Sequence, residues 1–309
     1  RSDGHHLRCY RAKATERFLI TQNRGAEFIS IAGEPHHQND WLRGACTYGV
    51  MPSNGLLYVP PHPCLCYPGA QLKGLNALAP ASDAEIAALG EEAKGPRLVR
   101  GPAYSEVSGG SAKTASSDWP TYRQNERRTG SAVCEVSADV SQQWQVQLDG
   151  DLTPPVAADG RLYVASEDTH TVYAIDTDNG RKAWQFTTGG RVDSPPTVWN
   201  DLVLVGSADG RVYCLRASDG ELVWRFRAAP SNRRIVAFSQ VESPWQVHGS
   251  ILVKQGVAYC TAGRSSFLDG GVWLFGLDPK TGEVVCRNHI DTWSRTREDA
   301  KGEFFIPAH

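Results

Sequence analysis

Two groups of side chains in this sequence are of types that do chemistry. The first is the stretch His62-Pro63-Cys64-Leu65-Cys66, with Cys46 upstream and the pair His36-His37 before it. Thiolates and imidazoles are soft ligands, so Cys64, Cys66, His62 and Cys46 form a candidate metal set for zinc, iron or copper. The spacing is neither a CxxC pair nor the CxxCH of haem attachment, which counts against a metal. A local or Cys46-linked disulfide and plain structural thiols stay open beside it. The second group is Asp193 and His248, with Arg191, Trp245 and Arg264 on flanking stretches. An acid and an imidazole on one concave surface can bind a polar ligand or exchange a proton near neutral pH. The arginines would add charge and the indole an aromatic wall. The plainer alternative is that Asp193 caps the turn before Pro195 and His248 is a solvated loop residue. Residues this far apart in the chain can act together only if the elements carrying them converge.

Those elements form an internal repeat. From Trp144, the segment PPVAADGRLYVASEDTHTVYAIDTDNGRKAW ends at Trp184, and PPTVWNDLVLVGSADGRVYCLRASDGELVW ends at Trp224, so the tryptophans recur every 40 residues. A third copy runs from Ser250 to Cys286, lengthened by an insertion and carrying Cys286 where a tryptophan is expected. A fourth begins near Met51, where Asn54-Gly55-Leu56-Leu57-Tyr58-Val59 echoes Asp159-Gly160-Arg161-Leu162-Tyr163-Val164. Each copy alternates short apolar runs with Asp-Gly or Asn-Gly turns, the pattern of an antiparallel meander of about four strands. One meander cannot bury both faces. Stacking several around an axis can, and this period suits a propeller blade rather than a helical solenoid. Aligning the copies on Gly55, Gly160, Asp201 and Gly256 places Tyr48, Thr153, Asp193 with Ser194, and His248 with Gly249 at equivalent positions. These lie just before the first strand of each blade, so they are expected to ring one mouth of the axial channel.

Composition agrees with an all-β protein. Thirty Gly and 18 Pro disfavour long helices. With 32 basic and 34 acidic residues the net charge is -2, and the basic clusters, such as Arg123 to Arg128, are short and interrupted. Nucleic acid is therefore not an expected partner. No apolar run approaches the roughly 20 residues that span a bilayer. The chain is expected to be a piece of a longer protein, since it opens without a Met or a leader pattern.

Ala174-Ile175-Asp176-Thr177-Asp178-Asn179-Gly180-Arg181-Lys182-Ala183-Trp184 resembles the tryptophan-docking motif A-x-D-x-x-x-G-x-x-x-W of the pyrroloquinoline-quinone (PQQ) type β-propeller repeats. These occur in quinoprotein alcohol dehydrogenases and outer-membrane-assembly propellers. The resemblance implies structural docking by Trp184 and Trp224 between neighbouring blades. Asp176 would satisfy turn amides, and Gly180 and Gly220 would allow the left-handed turn. The later copies depart from the motif, with Cys214 and Arg216 in place of its Ala and Asp in one, and Gly276 and Cys286 in place of its Ala and Trp in the other.

The expected organisation is a first partial blade and a second blade over 1–81, a linker or inserted loop over 82–118, and three further blades with the start of another over 119–309. About five blades fall short of the seven or eight that close such rings, so the ring is expected to be incomplete, its missing blades supplied by the rest of the chain. The expected function is a scaffold that binds a small polar ligand or a protein partner at the axial mouth. Two alternatives come with the resemblance: a PQQ- and Ca²⁺-dependent alcohol or sugar dehydrogenase, and an outer-membrane protein assembly factor. The dehydrogenases commonly carry two adjacent cysteines, which this sequence lacks, so no catalytic residue is assigned. A periplasmic or extracytoplasmic location is likewise implied by the resemblance alone.

Overall fold

The computed structural model describes residues 11–23, 25–34, 36–39, 43–61, 75–80, 95–107, 115, 117–237, 240–266 and 268–291. The chain divides into two compact units, Arg1–Glu91 with Arg233–Val241, and Glu92–Asn232 with Glu242–His309. The candidate ligands His62, Cys64 and Cys66 lie outside the described residues. Cys46 is described and is exposed.

In the N-terminal unit, β1 (Lys13–Ala14), β2 (Phe18–Asn23), β3 (Gly25–Ser30) and β4 (His37–Asn39) form one antiparallel sheet in chain order. The short runs Lys13–Ala14 and His37–Asn39 flank the hairpin of β2 and β3 and complete a four-stranded meander. β5 (Met51–Ser53), β6 (Leu56–Val59) and β7 (Asn76–Leu78) make a second sheet. Ile20 and Ala26 of the first sheet form one buried apolar cluster with Val50, Leu57 and Val59, and Phe18, Phe28 and Leu78 pack on it.

The C-terminal unit contains β8 (Leu98–Arg100) and three blades. The first comprises β9 (Val156–Ala158), β10 (Arg161–Ser166), β11 (Thr171–Asp176) and β12 (Lys182–Thr187). The second comprises β13 (Thr197–Trp199), β14 (Leu202–Ser207), β15 (Arg211–Arg216) and β16 (Leu222–Arg227). In the chain a two-stranded ribbon follows, β17 (Ile235–Ala237) with β18 (Gln240–Glu242), whose residues up to Val241 belong to the N-terminal unit. The third blade comprises β19 (Leu252–Lys254), β20 (Val257–Ala262), β21 (Val272–Leu277) and β22 (Val284–Ile290). The protein is all-β, a propeller of antiparallel blades, and among the described residues its ring is not closed. The first strand of the second blade, β13, adjoins both β9 and β19, so the three first strands are expected to face the axis.

The docking motif sets the blade interfaces. Ala174 pairs with Trp184, Cys214 with Trp224 and Gly276 with Cys286, each pair followed by the same bulge. Cys286 therefore stands in the tryptophan's register. Each indole lies over a glycine of the following repeat and donates to a carbonyl three residues before it. The bonds are Trp144 Nε1 to Thr177 O at 2.7 Å, Trp184 Nε1 to Ala217 O at 2.9 Å and Trp224 Nε1 to Pro279 O at 3.0 Å. Gly220 has φ +76°, and a Cβ there would come within 2.5 Å of the Trp184 indole. Both the left-handed turn and the close approach therefore require glycine. Asp176 Oδ1 accepts from the Asp178 amide, but the turn itself is closed by backbone: the Gly180 amide donates to Asp176 O, and the Gly220 amide to Arg216 O. Arg216 can thus replace the motif's Asp without loss of the turn.

Part of the expected linker is structured. β8 pairs antiparallel with β16 as a fifth strand of the second blade, and a 3₁₀ turn over Pro102–Glu106 puts Ala103 in the core. Tyr104 donates to Thr281 O. The small, polar composition of the surrounding stretch hid the apolar pair Leu98-Val99, which supplies the pairing.

Candidate binding site at the axial mouth

The crossover from the first blade to the second carries Arg191 and Asp193, and its shape is fixed by hydrogen bonds. Thr188 Oγ1 and Ser207 Oγ both donate to Gly190 O, at 2.6 and 3.0 Å, and the Ala208 amide donates to Arg191 O. The Gly189 amide donates to the Tyr213 hydroxyl, which in turn donates to the buried Asp209 carboxylate at 2.6 Å. Burial and the adjacent Asp209 charge push the Tyr213 phenol well above its ordinary value. It stays protonated and holds the loop.

The crossover from the second blade to the third is longer and returns to the same end. The Ser243 amide donates to Ala208 O, the Val247 amide to Ser207 O, and Ser250 Oγ to Pro195 O. These bonds place His248 beside Asp193, with His248 Nδ1 3.0 Å from Asp193 Oδ2 and both side chains about one quarter exposed. Arg191 lies beneath them, its side chain 8% exposed, with Nη2 3.5 Å from Asp193 Oδ2 and 3.3 Å from Glu242 Oε2. The glutamate is 1% exposed. Its Oε2 is close enough to Arg191 for an ion pair but makes no aligned hydrogen bond.

The electrostatics follow from this stacking. Burial would raise the Asp193 carboxyl, but the His248 hydrogen bond and charge, together with Arg191, overcome it and hold Asp193 below its ordinary value. For Glu242 burial dominates: the carboxyl is pushed up to about 7 against the opposing charges of Arg191, His248 and Arg264, with Asp193 adding to the rise. Glu167, on the turn between β10 and β11, is raised by burial and by the Asp193 charge. Groups from both crossovers thus meet here, within the field of Glu167 from the first blade. One member titrates near neutrality, beside an acid that stays ionised.

Other expected members have different roles. Trp245 is not an aromatic wall: it is buried in the core of the second and third blades, with Nε1 donating to Asp269 O at 2.9 Å. Arg264 is paired with Asp269 at 3.1 Å. Thr153 is buried, and its hydroxyl accepts the Ala165 amide at 3.1 Å. Tyr48 is exposed in the N-terminal unit. Glu242 is the member that the repeat pattern does not reveal, because it lies in the crossover between copies. The length of that crossover, Ala228 to Ile251, is the available signal, since insertions in repeat proteins gather on one face.

The family profile described as outer membrane protein assembly factor BamB, a PQQ-repeat family, matches residues 107–304. The chain belongs to that family. It is 35% identical over 109 residues to the outer membrane protein assembly factor BamB of Burkholderia pseudomallei, a match covering 34% of this chain and 28% of that protein. It is 26% identical over 190 residues to the quinohemoprotein alcohol dehydrogenase of Comamonas testosteroni, covering 55% of this chain and 25% of that protein. The crystal structure of BamB from Moraxella catarrhalis superposes with a TM-score of 0.37 at 15% identity, covering 93% of this chain and 66% of that one. Matches to the two sequence relatives span less than a third of their length.

The dehydrogenase relatives raise the question of a quinone with Ca²⁺. The described residues do not fit that pair. No three acids, histidines or cysteines among them converge as a metal donor set. Trp245, the indole nearest to His248 in the chain, is committed to the core. The axis beside β9 and β13 is lined by the protein's own segment, with Trp119 bridged to Ala157 and Pro120 O accepting the Val198 amide.

Proposed function

We propose that this PQQ-repeat propeller is a binding scaffold that takes a small polar ligand or a protein partner at its axial mouth. The observation that carries this reading is the Asp193–His248 pair, drawn from successive crossovers to 3.0 Å and backed by Arg191 and Glu242. A repeat concerned only with packing would place small or apolar residues there. Asp193 presents an ionised acceptor, and His248 is partly exposed with Nε2 left over from the Asp193 contact, an arrangement that can orient a ligand donating to one and accepting from the other. Family membership supports a scaffold, and the assembly factors in the family make a protein partner the favoured ligand class. An extracytoplasmic location and completion of the ring by further blades belong to the same proposal. Among the described residues no helix is long and apolar enough to cross a membrane.

The test is a thermal-shift screen of polar small molecules and short peptides on the full chain, with Asp193→Asn/His248→Ala run in parallel. A compound that raises the melting temperature of the parent and not of the double variant supports the mouth as the site. Binders whose effect is unchanged in the double variant would remove it. Adding PQQ with Ca²⁺ and assaying dye-linked alcohol oxidation tests the enzymatic alternative directly.

A further inference from the structure

The segment that runs along the axis ends in a loop at the same mouth. Beyond Trp119 and Pro120, Thr121 Oγ1 lies 2.9 Å from Thr197 Oγ1, and Arg128 Nη2 donates to Ser250 O, two residues beyond His248. Between these anchors the backbone takes left-handed conformations at three residues that are not glycine: Arg123 (φ 56°), Gln124 (φ 78°) and Arg128 (φ 54°). Such conformations persist only where surrounding bonds impose them, and they gather at sites of function. Here the bonds centre on Asn125. Its Oδ1 accepts the Arg127 and Thr129 amides, its Nδ2 donates to Thr129 Oγ1, and the Gly130 amide closes the loop on Arg123 O.

The fixed loop carries three arginines and one exposed acid, Glu126. Arg128 is engaged, lying over the Tyr122 ring at 5.2 Å as well as on Ser250 O. Arg123 and Arg127 are exposed, and among the described residues neither has an acidic partner. A guanidinium is a planar fork that binds carboxylates through paired hydrogen bonds, and holding its backbone rigid lowers the ordering cost of binding.

The geometry points to the loop over 122–130 as the anchor for an acidic peptide segment of a partner, with Arg123 and Arg127 binding its carboxylates. This rests on the mouth being a binding surface. Two features favour spaced carboxylates over a dense polyanion. Asp193 and Glu167 stand at the same mouth and repel closely spaced negative charge, and the net charge of -2 offers no wider basic field for nucleic acid. A peptide alternating acids with polar or basic residues satisfies both the arginines and Asp193.

The experiment is fluorescence anisotropy of a labelled alternating Glu-Gly decapeptide with the full chain at low salt. The parent is expected to bind it and to ignore the Lys-Gly peptide. Arg123→Gln/Arg127→Gln should weaken binding at least tenfold, and the single variants by less should the double variant not fold. Unchanged binding in these variants overturns the proposal, as does tighter arginine-dependent binding of a single-stranded oligonucleotide or of anionic phosphatidylglycerol vesicles. Loss in the arginine variants with full binding by His248→Ala supports the acidic anchor while removing the Asp193–His248 reading. Loss in His248→Ala alone does the reverse.

Discussion

The blade interfaces and the axial mouth are built from opposite ends of the same strands, and they differ in how completely their polar groups are used. At the interfaces each indole N–H has its carbonyl, each docking glycine has an aromatic face above it, and Arg161 Nη1 adds a further bond to Ser218 O. At the mouth an arginine is shared by two carboxylates, and a glutamate oxygen is buried without a hydrogen bond. Stability in a repeat protein comes from contacts that every neighbouring pair makes, whereas a site needs groups that no other repeat supplies. The difference between the two regions therefore separates residues that serve folding from residues left over for binding.

The interface side of this contrast should respond most strongly. Trp224→Ala is expected to cost about 3 to 5 kcal/mol, the range for truncating a fully buried aromatic side chain, and Trp184→Ala a similar amount, read by urea unfolding. Unchanged stability in either would show that the docking geometry does not hold the blades. On the mouth side, Glu242 carries a pH signature. Its carboxyl is raised from 4.5 in the unfolded chain to about 7 in the folded one. The stability it contributes is therefore complete below about pH 4.5 and is lost as pH rises through about 7. Glu242→Gln should remove that slope, changing the difference in stability between pH 5 and pH 8 by on the order of 3 kcal/mol. Parallel pH curves for parent and variant would mean that the buried carboxyl is neutralised in another way.

Asp193→Asn should have a smaller effect of opposite pH sense. The aspartate is held below its ordinary value, so its contribution is present at neutral pH and is lost as pH falls below the usual carboxylate range. A destabilisation of about 2 kcal/mol at pH 7, the scale for a charge-assisted hydrogen bond, should vanish in acid. A loss that persists there would make the residue a packing element. The smallest effect is expected at Cys286. It occupies the tryptophan register but lies on β22, which is exposed at all seven positions. Cys286→Trp should therefore change stability by no more than about 0.5 kcal/mol. A large loss would show that this face is already covered.

The repeat was legible without coordinates because its signals are local. Pro-Pro, Asp-Gly and the spacing of Gly180 and Trp184 each report a turn or a strand through the chain's own sterics, and β-branched runs such as Leu202–Ser207 report burial on both faces. Asp193 and His248 could be singled out because they break a pattern that prefers small residues. Other features had no local signature. The three residues Leu98–Arg100 are too few to show a period, and only the unpaired edge of β16 makes them a strand. Trp245 reads like any loop aromatic until the third blade covers it. The sequence by itself determined the three repeats of the C-terminal unit and their docking positions, since these depend on contacts between neighbours in the chain. Tertiary structure alone decided that Glu242 is buried against Arg191, that Asp193 meets His248, and that Arg128 reaches Ser250 beside them. Charges from different crossovers interact through space, and neither the distance between them nor the dielectric around them is written in the order of residues.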